Sequence, residues 1–316
     1  MTRRPLLLSV LTVLAVLAVF NLAVAGATRL TARRKFLARL EGAPAATRLL
    51  FLGNSLFEDG IDTGAFVEAW RPAGQAPAVF SAALHATTPV EHALVLRRAL
   101  SRLSQVRYLV YGFSDEQMIM QSKTGWGDMI SSRALSYAFP DEAAALYAPG
   151  SLETKWRFRA MSLLPMLADR TTLWSKVETL RKAMGAVGMP AQASEKEQDL
   201  DAVARRLEGV VHADPGFSVA MKEIFRLAQA QGIQVFVVEM PAGHPPAFYE
   251  GPASSALRAY NRARVEAQNG VYIDASLWIQ DRKYFRNAEH LNPEGAKLFS
   301  ERLGQEISRR LEGSAD

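Results

Sequence analysis

The stretch "LFLGNSLFEDGID", residues 50–62, decides the fold. A run of apolar residues ends at Gly53, and Asn54 and Ser55 follow at once. Short, continuous apolar runs that end in glycine are typical of buried parallel strands. The sequence therefore predicts a strand over 47–53 that delivers a serine to one edge of a sheet. That serine is either an ordinary turn residue or a nucleophile.

Similar apolar runs recur along the chain, and helical patterns separate them. The predicted strands and the closing helix cover 76–84, 106–113, 232–240, 270–276 and 292–311. Strands that alternate with helices are typical of a parallel sheet with helices on both faces. We therefore predict an α/β fold, a three-layer sandwich built on a mostly parallel sheet of about five strands.

The N-terminal segment, 1–28, is predicted to be a transmembrane anchor or a signal segment. Pro5 to Thr28 contains no charged residue over 24 positions, which is enough helix to span a bilayer core of ~30 Å. Ala23-Val24-Ala25 also has the small-x-small form of a signal cleavage site. Both interpretations stay open, and both place the rest of the chain outside the cytoplasm. A basic juxtamembrane linker is predicted at 29–45.

The remaining domain, 46–316, is interrupted by a predicted helical insertion at about 120–215. This stretch has several short helical patterns, no clear strand, and three tryptophans, Trp126, Trp156 and Trp174. The tryptophans are interpreted as core packing, with a sugar-stacking wall as the alternative. The insertion therefore separates the third predicted strand from the fourth.

Composition and charge exclude several classes of protein. Residues 1–40 hold seven basic residues and no acid, which leaves 30 basic and 32 acidic residues in the rest, a net charge of −2. That balance argues against a nucleic-acid partner. The chain has no cysteine, so disulfide and thiolate chemistry are excluded. The histidines lack metal-ligand spacing and no glycine-rich phosphate loop occurs, so neither a metal site nor a cofactor is predicted.

Candidate site residues follow the predicted strands at the edge where a parallel sheet binds its ligands. Asn54 and Ser55 follow the first strand, Ala86 the second, Asp115 the third and His244 the fourth, while His290 precedes the closing helix. Asp115 is equally interpreted as a helix cap, and His244 as a loop histidine held between prolines. We nevertheless expect these residues to line one cleft.

Two sequence boxes carry a resemblance to a known superfamily. They are Gly53-Asn54-Ser55 with Gly60-Ile61-Asp62, and His290-Leu291-Asn292 with Gly295. Together they resemble the SGNH, or GDSL-like, hydrolases, and in particular a membrane-anchored branch associated with acyl transfer or deacylation of exported polymers. The resemblance covers about 47–115 and 230–311.

The resemblance implies Ser-His-Asp acyl transfer, with Ser55 as nucleophile and His290 as its base. A serine hydroxyl needs such a base because it is a weak nucleophile at neutral pH. The backbone N–H groups of Ser55 and Ala86 are the implied donors to the tetrahedral oxyanion. The residue that orients His290 lies three positions before it, at Asn287.

Three positions depart from the superfamily pattern. Asn54 stands where the superfamily has aspartate before the serine, Asn287 stands where it has the orienting acid, and Ala86 replaces a glycine. Glu289 and Asp281 are the nearby acids that remain as substitutes for the orienting one. A Ser-His dyad, a rewired triad and an inactive site all stay open.

Two functions follow from the resemblance. The first is a membrane-anchored serine esterase or O-acyltransferase that acts on an acylated extracytoplasmic glycan or lipid. The second is a catalytically inactive SGNH-fold binding or scaffold protein of an envelope polysaccharide system. The implied partners are the acylated substrate, the inner membrane and other envelope-biosynthesis proteins. The implied location is the periplasm, or the exterior if the signal is cleaved.

Overall fold

A computed structural model describes residues 3–27, 31–70, 76–85, 87–114, 117–118, 134–168, 177, 200–213 and 216–312. The chain divides into two compact units. The first comprises 1–41 and 123–196, and the second comprises 42–122 and 197–316.

In chain order, the described helices are α1 (Arg3–Ala25), α2 (Thr31–Glu41), α3 (Ser55–Gly60), α4 (Thr63–Ala69), α5 (Pro89–Leu100), α6 (Ala134–Ala138), α7 (Pro140–Tyr147), α8 (Leu152–Leu163), α9 (Pro165–Ala168), α10 (Leu200–Ala213), α11 (Val219–Gln229), α12 (Pro246–Glu250), α13 (Pro252–Glu266) and α14 (Pro293–Glu312). The strands are β1 (Leu49–Gly53), β2 (Val79–Ser81), β3 (Tyr108–Phe113), β4 (Gln234–Glu239) and β5 (Val271–Asp274).

The five strands form one sheet in the order β2-β1-β3-β4-β5, and every neighbouring pair is parallel. Gly53 at the end of β1 lies opposite Gly112 of β3. This is a doubly wound order, in which the crevice for ligands opens where the strand order reverses, between β1 and β3. The predicted α/β fold with a parallel sheet of about five strands and helices on both faces is confirmed.

One face of the sheet carries the main hydrophobic core. Alternate strand residues point to this face and are buried, and they pack with aromatic residues from α4 and α14. Its larger members include Phe51, Val110, Phe236, Ile273, Phe66 and Phe299. Helix α14 reaches this core because its buried residues recur every three or four positions, as in an amphipathic helix.

Two facing glycines let the chain turn sharply at the end of β1. A Cβ atom on Gly53 would lie 2.8 Å from both the Gly112 carbonyl oxygen and the Phe57 Cβ. A Cβ atom on Gly112 would run into the Phe57 ring. Helix α3 therefore packs directly over the edge of the sheet. Its first residue, Ser55, lies beside the crevice between β1 and β3, where the strand order reverses.

The first unit contains an apolar helix. Its Leu7–Ala25 stretch, 19 residues with a mean hydropathy of 2.6, is long and apolar enough to cross a membrane, as a signal sequence also is. Most of its large side chains are exposed. The predicted linker at 29–45 contains helix α2. The predicted domain bounds stay predictions.

The described part of the predicted insertion consists of helices joined by short turns, and it contains no strand. Helices α6 to α9 belong to the first unit, whereas α10 belongs to the second. Trp156 on α8 is 64% exposed, so the interpretation of this residue as core packing is wrong. Trp126 and Trp174 lie outside the described residues.

Candidate active site

Ser55 is the first residue of α3, and the side chain of Asn54 holds the turn that carries it. Asn54 caps the helix, because its Oδ1 accepts a hydrogen bond from the Leu56 backbone N–H at 3.0 Å. Its Nδ2 donates to Gln117 Oε1 at 3.3 Å. Asn54, which was expected to line the cleft, therefore braces the turn. The contribution of Gln117 was missed.

His290 lies on a short loop that folds back on itself. Phe285 and Leu291 form an antiparallel bridge and are both buried in the core. Within the loop, the Arg286 backbone N–H donates to the His290 carbonyl at 2.9 Å. Two apolar residues thus anchor the loop, and a backbone hydrogen bond fixes its width. The result is a defined position for the histidine.

The residues after His290 explain why the second sequence box has its spacing. Asn292 Oδ1 accepts from the Gly295 backbone N–H at 3.0 Å, and Asn292 Nδ2 donates to the Lys283 carbonyl at 2.6 Å. A Cβ atom at Gly295 would run into the Tyr284 carbonyl oxygen. Asparagine and glycine three positions apart therefore join the histidine loop to the start of α14.

Ser55, His290 and Asn287 form a continuous chain of hydrogen bonds. His290 Nε2 lies 3.0 Å from Ser55 Oγ, and His290 Nδ1 lies 3.1 Å from Asn287 Oδ1. Sequence order and strand ends predicted that the serine and the histidine would meet at one rim of the sheet, and these distances place them in contact.

Backbone donors fix the orientation of the Asn287 amide. Its Oδ1 accepts from the backbone N–H groups of Glu289 at 3.0 Å and His290 at 2.7 Å. Only the oxygen of an amide accepts such bonds, so the oxygen, and not the NH₂ group, faces the imidazole. His290 Nδ1 therefore carries the ring proton and donates it to Asn287. The lone pair of Nε2 is left to face the Ser55 hydroxyl.

The surroundings favour the neutral form of His290. Burial lowers the pKa of His290 below its usual range, and the charges of Arg286 and His85 lower it further. The carboxylates of Asp59 and Glu289 act in the opposite direction. A neutral imidazole is the form that accepts a proton from a hydroxyl.

An ion-pair network ties the histidine loop to α3. Arg286 pairs with Asp59, and His85 Nε2 lies 3.3 Å from Asp59 Oδ1 and 3.6 Å from Glu58 Oε2. Asp59 is four residues after Ser55, so the pair with Arg286 links the two halves of the site. Sequence analysis missed this network, because Asp59 and Arg286 are 227 residues apart and neither belongs to a motif.

The acids considered as substitutes for an orienting aspartate do not contact the ring. Asp281 pairs with Lys283 at 3.0 Å, and Glu289 donates its backbone N–H to Asn287. The position beside His290 Nδ1 is occupied by Asn287. Among the described residues, no group of three or more histidine, aspartate or glutamate side chains is arranged to hold a metal ion.

The other predicted cleft residues have different outcomes. His244 follows β4 and is half-buried, and its ring lies 5.2 Å from that of Phe248. Burial lowers the pKa of His244. The neighbouring Gly243 donates its N–H to the Ala288 carbonyl at 2.8 Å, so this loop borders the histidine loop. No hydrogen bond joins His244 to Ser55 or His290 in the described structure. Ala86 and Asp115 lie outside the described residues.

A second histidine, His92 of α5, belongs to a buried network near the site. His92 Nδ1 lies 2.9 Å from Tyr111 Oη, and Nε2 lies 2.9 Å from Thr87 Oγ1. Thr87 gives its one hydroxyl proton to the Leu84 carbonyl at 2.5 Å. His92 Nε2 must therefore donate to Thr87, and Nδ1 accepts from Tyr111.

This network braces the loop after β2. Burial lowers the pKa of His92 to about 3, so the ring is neutral at pH 7. The Leu84 N–H in turn donates to the Gly53 carbonyl at 3.0 Å, two residues before Ser55. The sequence alone does not reveal this network, because Tyr111 comes from β3 and Thr87 from the turn that precedes α5.

Comparison with known proteins found similarity in solved structures only. No family model and no curated protein matches the chain. A protein of Bacteroides fragilis named as an acylhydrolase is 13% identical, with 88% of this chain and 96% of that chain covered and a TM-score of 0.42. A GDSL-like lipase of Bacteroides thetaiotaomicron is 12% identical, with 88% and 97% covered and a TM-score of 0.40. At these identities the similarity concerns the fold alone.

Proposed function

We propose that the protein cleaves esters by acyl transfer through Ser55 and His290. The observation that carries this proposal is the orientation of the histidine. Asn287 Oδ1 is held by two backbone N–H groups, which directs the ring proton to Nδ1 and the Nε2 lone pair to Ser55 Oγ, 3.0 Å away. This is the arrangement in which a histidine removes a serine proton.

The reaction proceeds in two halves. Ser55 Oγ attacks the ester carbonyl while His290 Nε2 takes the hydroxyl proton, and the tetrahedral intermediate collapses when His290 returns that proton to the leaving alcohol. Water or a sugar hydroxyl then attacks the acyl-serine while His290 takes its proton. The bond between the acyl carbon and Ser55 Oγ breaks, and His290 returns the proton to that oxygen. The backbone N–H groups of Ser55 and Ala86 are the proposed donors to the oxyanion, by resemblance to the SGNH hydrolases.

Asn287 supplies the orienting part of the usual aspartate's role without its charge. In serine proteases with a Ser-His-Asp triad, changing the aspartate to asparagine lowers turnover ~10⁴-fold because the histidine takes the wrong tautomer. Here the backbone donors prevent that error. Among the described residues, Asp59 and Glu289 supply from further away a negative charge that would stabilise an imidazolium, since their effect is to raise the pKa of His290.

The proposed substrate is an acylated glycan or lipid outside the cytoplasm. The apolar helix α1 supports an extracytoplasmic location, with the chain anchored in the inner membrane. Acyl esters on exported glycans and on lipids are the compounds that such an enzyme would meet there. Hydrolysis and O-acyl transfer share every step up to the acyl-serine.

The test is ester hydrolysis by the full chain in detergent, with p-nitrophenyl acetate as the substrate. We expect Ser55→Ala to reduce hydrolysis to the buffer rate. Ser101→Ala, which changes an exposed serine at the end of α5, should keep the wild-type rate. If the wild type and Ser55→Ala are equally inactive, the alternative of an inactive SGNH-fold binding protein is favoured. If Ser55→Ala hydrolyses the ester as fast as the wild type, the site is wrong.

A further inference from the structure

Helix α8 has an exposed apolar stripe. Leu152, Trp156 and Leu163 are 72%, 64% and 72% exposed. At ~100° per residue, these three positions fall within about 40° of each other around the helix axis. The next residue, Leu164, is also exposed. Arg159 lies on the same face, between Trp156 and Leu163. Single exposed apolar residues are ordinary, but several on one face of a helix are typical of an interaction surface.

The stripe is separate from the face with which α8 packs in its own unit. Thr154, Phe158 and Met161 are buried, and the Phe158 ring contacts the rings of Tyr137 and Tyr147 at 5.8 Å and 4.9 Å. The helix therefore already buries one side. Its exposed stripe is a second apolar face.

The end of this stripe is attached to the apolar helix α1. Asn21 Nδ2 donates to the Leu163 carbonyl at 2.6 Å, and Asn21 Oδ1 accepts from the Met166 N–H at 3.3 Å. Helix α9, which follows α8 directly, packs along α1. The carboxyl end of α8 is thus fixed at the level of Asn21.

Where α1 crosses a bilayer, Asn21 lies just inside one end of the hydrocarbon core. Asn21 precedes Ala25, the end of the apolar stretch, by four residues, or ~6 Å along the helix axis. The whole stretch of 19 residues is ~28 Å long, close to the ~30 Å of hydrocarbon. Tryptophan is enriched at the junction between hydrocarbon and headgroups, where its apolar ring and its N–H are both accommodated.

Two arginines near the stripe are paired within the protein. Arg157 pairs with Glu153, and Arg159 pairs with Asp141 at 2.8 Å. The Arg159 guanidinium also lies 5.5 Å from the centre of the Trp156 ring. Since these two arginines already have carboxylate partners, neither needs an anionic lipid. The stripe fits an apolar layer beneath neutral headgroups.

We propose that α8 lies on the membrane surface, with Leu152, Trp156 and Leu163 inserted at the boundary between headgroups and acyl chains. The occupant of the stripe is the lipid bilayer that α1 crosses. This inference rests on the proposal that α1 remains in the chain as an anchor. It adds a second membrane contact, parallel to the surface, to the spanning helix.

The absence of cysteine from the sequence allows a direct test. Single variants Leu152→Cys, Trp156→Cys and Leu163→Cys of the full chain would carry a polarity-sensitive nitrobenzoxadiazole label, in phosphatidylcholine nanodiscs with one chain per disc. Glu153→Cys is the matched control, because Glu153 is exposed on the same helix but lies off the stripe. Leu14→Cys, in the middle of α1, reports the anchor itself.

We expect labels on the stripe to emit at shorter wavelength than the Glu153→Cys label and to be quenched more than twofold by lipids with a shallow doxyl group. The Leu14→Cys label should be quenched most by lipids with a deep doxyl group. If Leu14→Cys is deep and the stripe labels emit as in water, the docking inference is wrong while the anchor stands. If Leu14→Cys also emits as in water, the anchor is wrong and the inference falls with it. A requirement for anionic lipid would also overturn it.

Discussion

Two histidines in the second unit make nearly the same contacts, but the proton between Nε2 and the facing hydroxyl is donated in opposite directions. His290 and His92 each have both ring nitrogens hydrogen-bonded, and in each the Nε2 atom faces a hydroxyl, at 3.0 Å and 2.9 Å. The direction of the proton differs. Ser55 is oriented to give its proton to His290, whereas Thr87 gives its proton to a carbonyl and receives one from His92.

The contrast shows that the partner on Nδ1, and not the distance at Nε2, decides what each histidine does. An amide oxygen held by two backbone donors faces His290, so Nδ1 is protonated there. A phenol faces His92, so its Nδ1 is an acceptor. Burial lowers the pKa of both rings, but only His92 is almost fully enclosed, at 1% exposure.

The largest predicted effect is a loss of turnover when Ser55 or His290 is replaced. Ser55→Ala or His290→Ala should lower kcat/KM for a small ester by at least ~10³-fold, because the nucleophile or its base is lost. The free energy of unfolding should change by less than ~1 kcal/mol, because both side chains are at the partly exposed rim. Ester hydrolysis and urea unfolding measure the two quantities.

A loss of less than tenfold in either variant would contradict the assignment. Covalent capture gives an independent check. A fluorophosphonate probe should label Ser55 in the wild type and in Ser101→Ala, and should label His290→Ala much more slowly.

His92 should make the protein acid-sensitive. In the folded state its pKa is about 3, whereas an unfolded histidine has a pKa of about 6.5, so below pH 6.5 the unfolded state binds a proton that the folded state does not. The contribution of His92 to the free energy of unfolding is therefore fully present above pH 6.5, and it is lost as the pH drops toward 3. Between pH 7 and pH 5 we expect a loss of roughly 2 kcal/mol from this residue.

Urea unfolding of the full chain at pH 7 and pH 5 measures that loss. His92→Gln should remove most of it, and His290→Gln should remove less, because His290 is only partly buried. A pH dependence that is unchanged in His92→Gln would show that His92 is not the neutral, buried brace described here.

The sequence predicted those parts of the fold and site that depend on local pattern. The glycine at 53 and the apolar run before it predicted the strand end, and the box from His290 to Gly295 predicted the histidine at a helix entry. Trp156 was misassigned because exposure depends on which elements pack against a helix, and a single residue does not reveal that.

The hydrogen bonds that give each histidine its role could not be predicted in this way. Tyr111 meets His92 only when β3 packs beside α5, and Thr87 meets it only through the turn at the start of that helix. The orientation of the Asn287 amide depends on backbone donors within its own turn, so the residue type alone suggested a defective acid. Only the geometry of the turn indicates that the amide still orients the ring.

A third prediction sharpens the role of Asn287. Asn287→Asp should raise ester turnover at pH 7–8 by about 10- to 100-fold, or ~1.4–2.8 kcal/mol of barrier, because a carboxylate stabilises the imidazolium that forms. The same carboxylate raises the pKa of His290, so the acid limb of kcat/KM should move to higher pH. Steady-state pH profiles measure both.

Lower turnover in Asn287→Asp would mean that another acid already serves His290. In that case Glu289→Gln or Asp281→Asn should lower turnover as well. If none of these changes alters turnover, and Ser55→Ala does not alter it either, the proposed catalytic role of Ser55 and His290 is wrong.

The smallest effect concerns the ion pair between Asp59 and Arg286. Asp59→Asn removes a charge that raises the pKa of His290 and leaves Arg286, which lowers it. The acid limb of kcat/KM should therefore move to lower pH, by less than one unit. Asp281→Asn, which unpairs only the exposed Lys283, should leave the limb in place. A shift to higher pH in Asp59→Asn would contradict the described electrostatics.

The protonation of the two rings tests the central comparison most directly. The chain has five histidines, so ¹⁵N-histidine labelling and long-range ¹H–¹⁵N correlation spectra at pH 7.5 resolve few signals, and His92→Gln and His290→Gln assign the two that matter. We expect His290 to be protonated on Nδ1 and His92 on Nε2, both neutral. The same tautomer in both rings, or a His290 protonated on Nε2, would contradict the proposal that Ser55 is oriented to give its proton to His290.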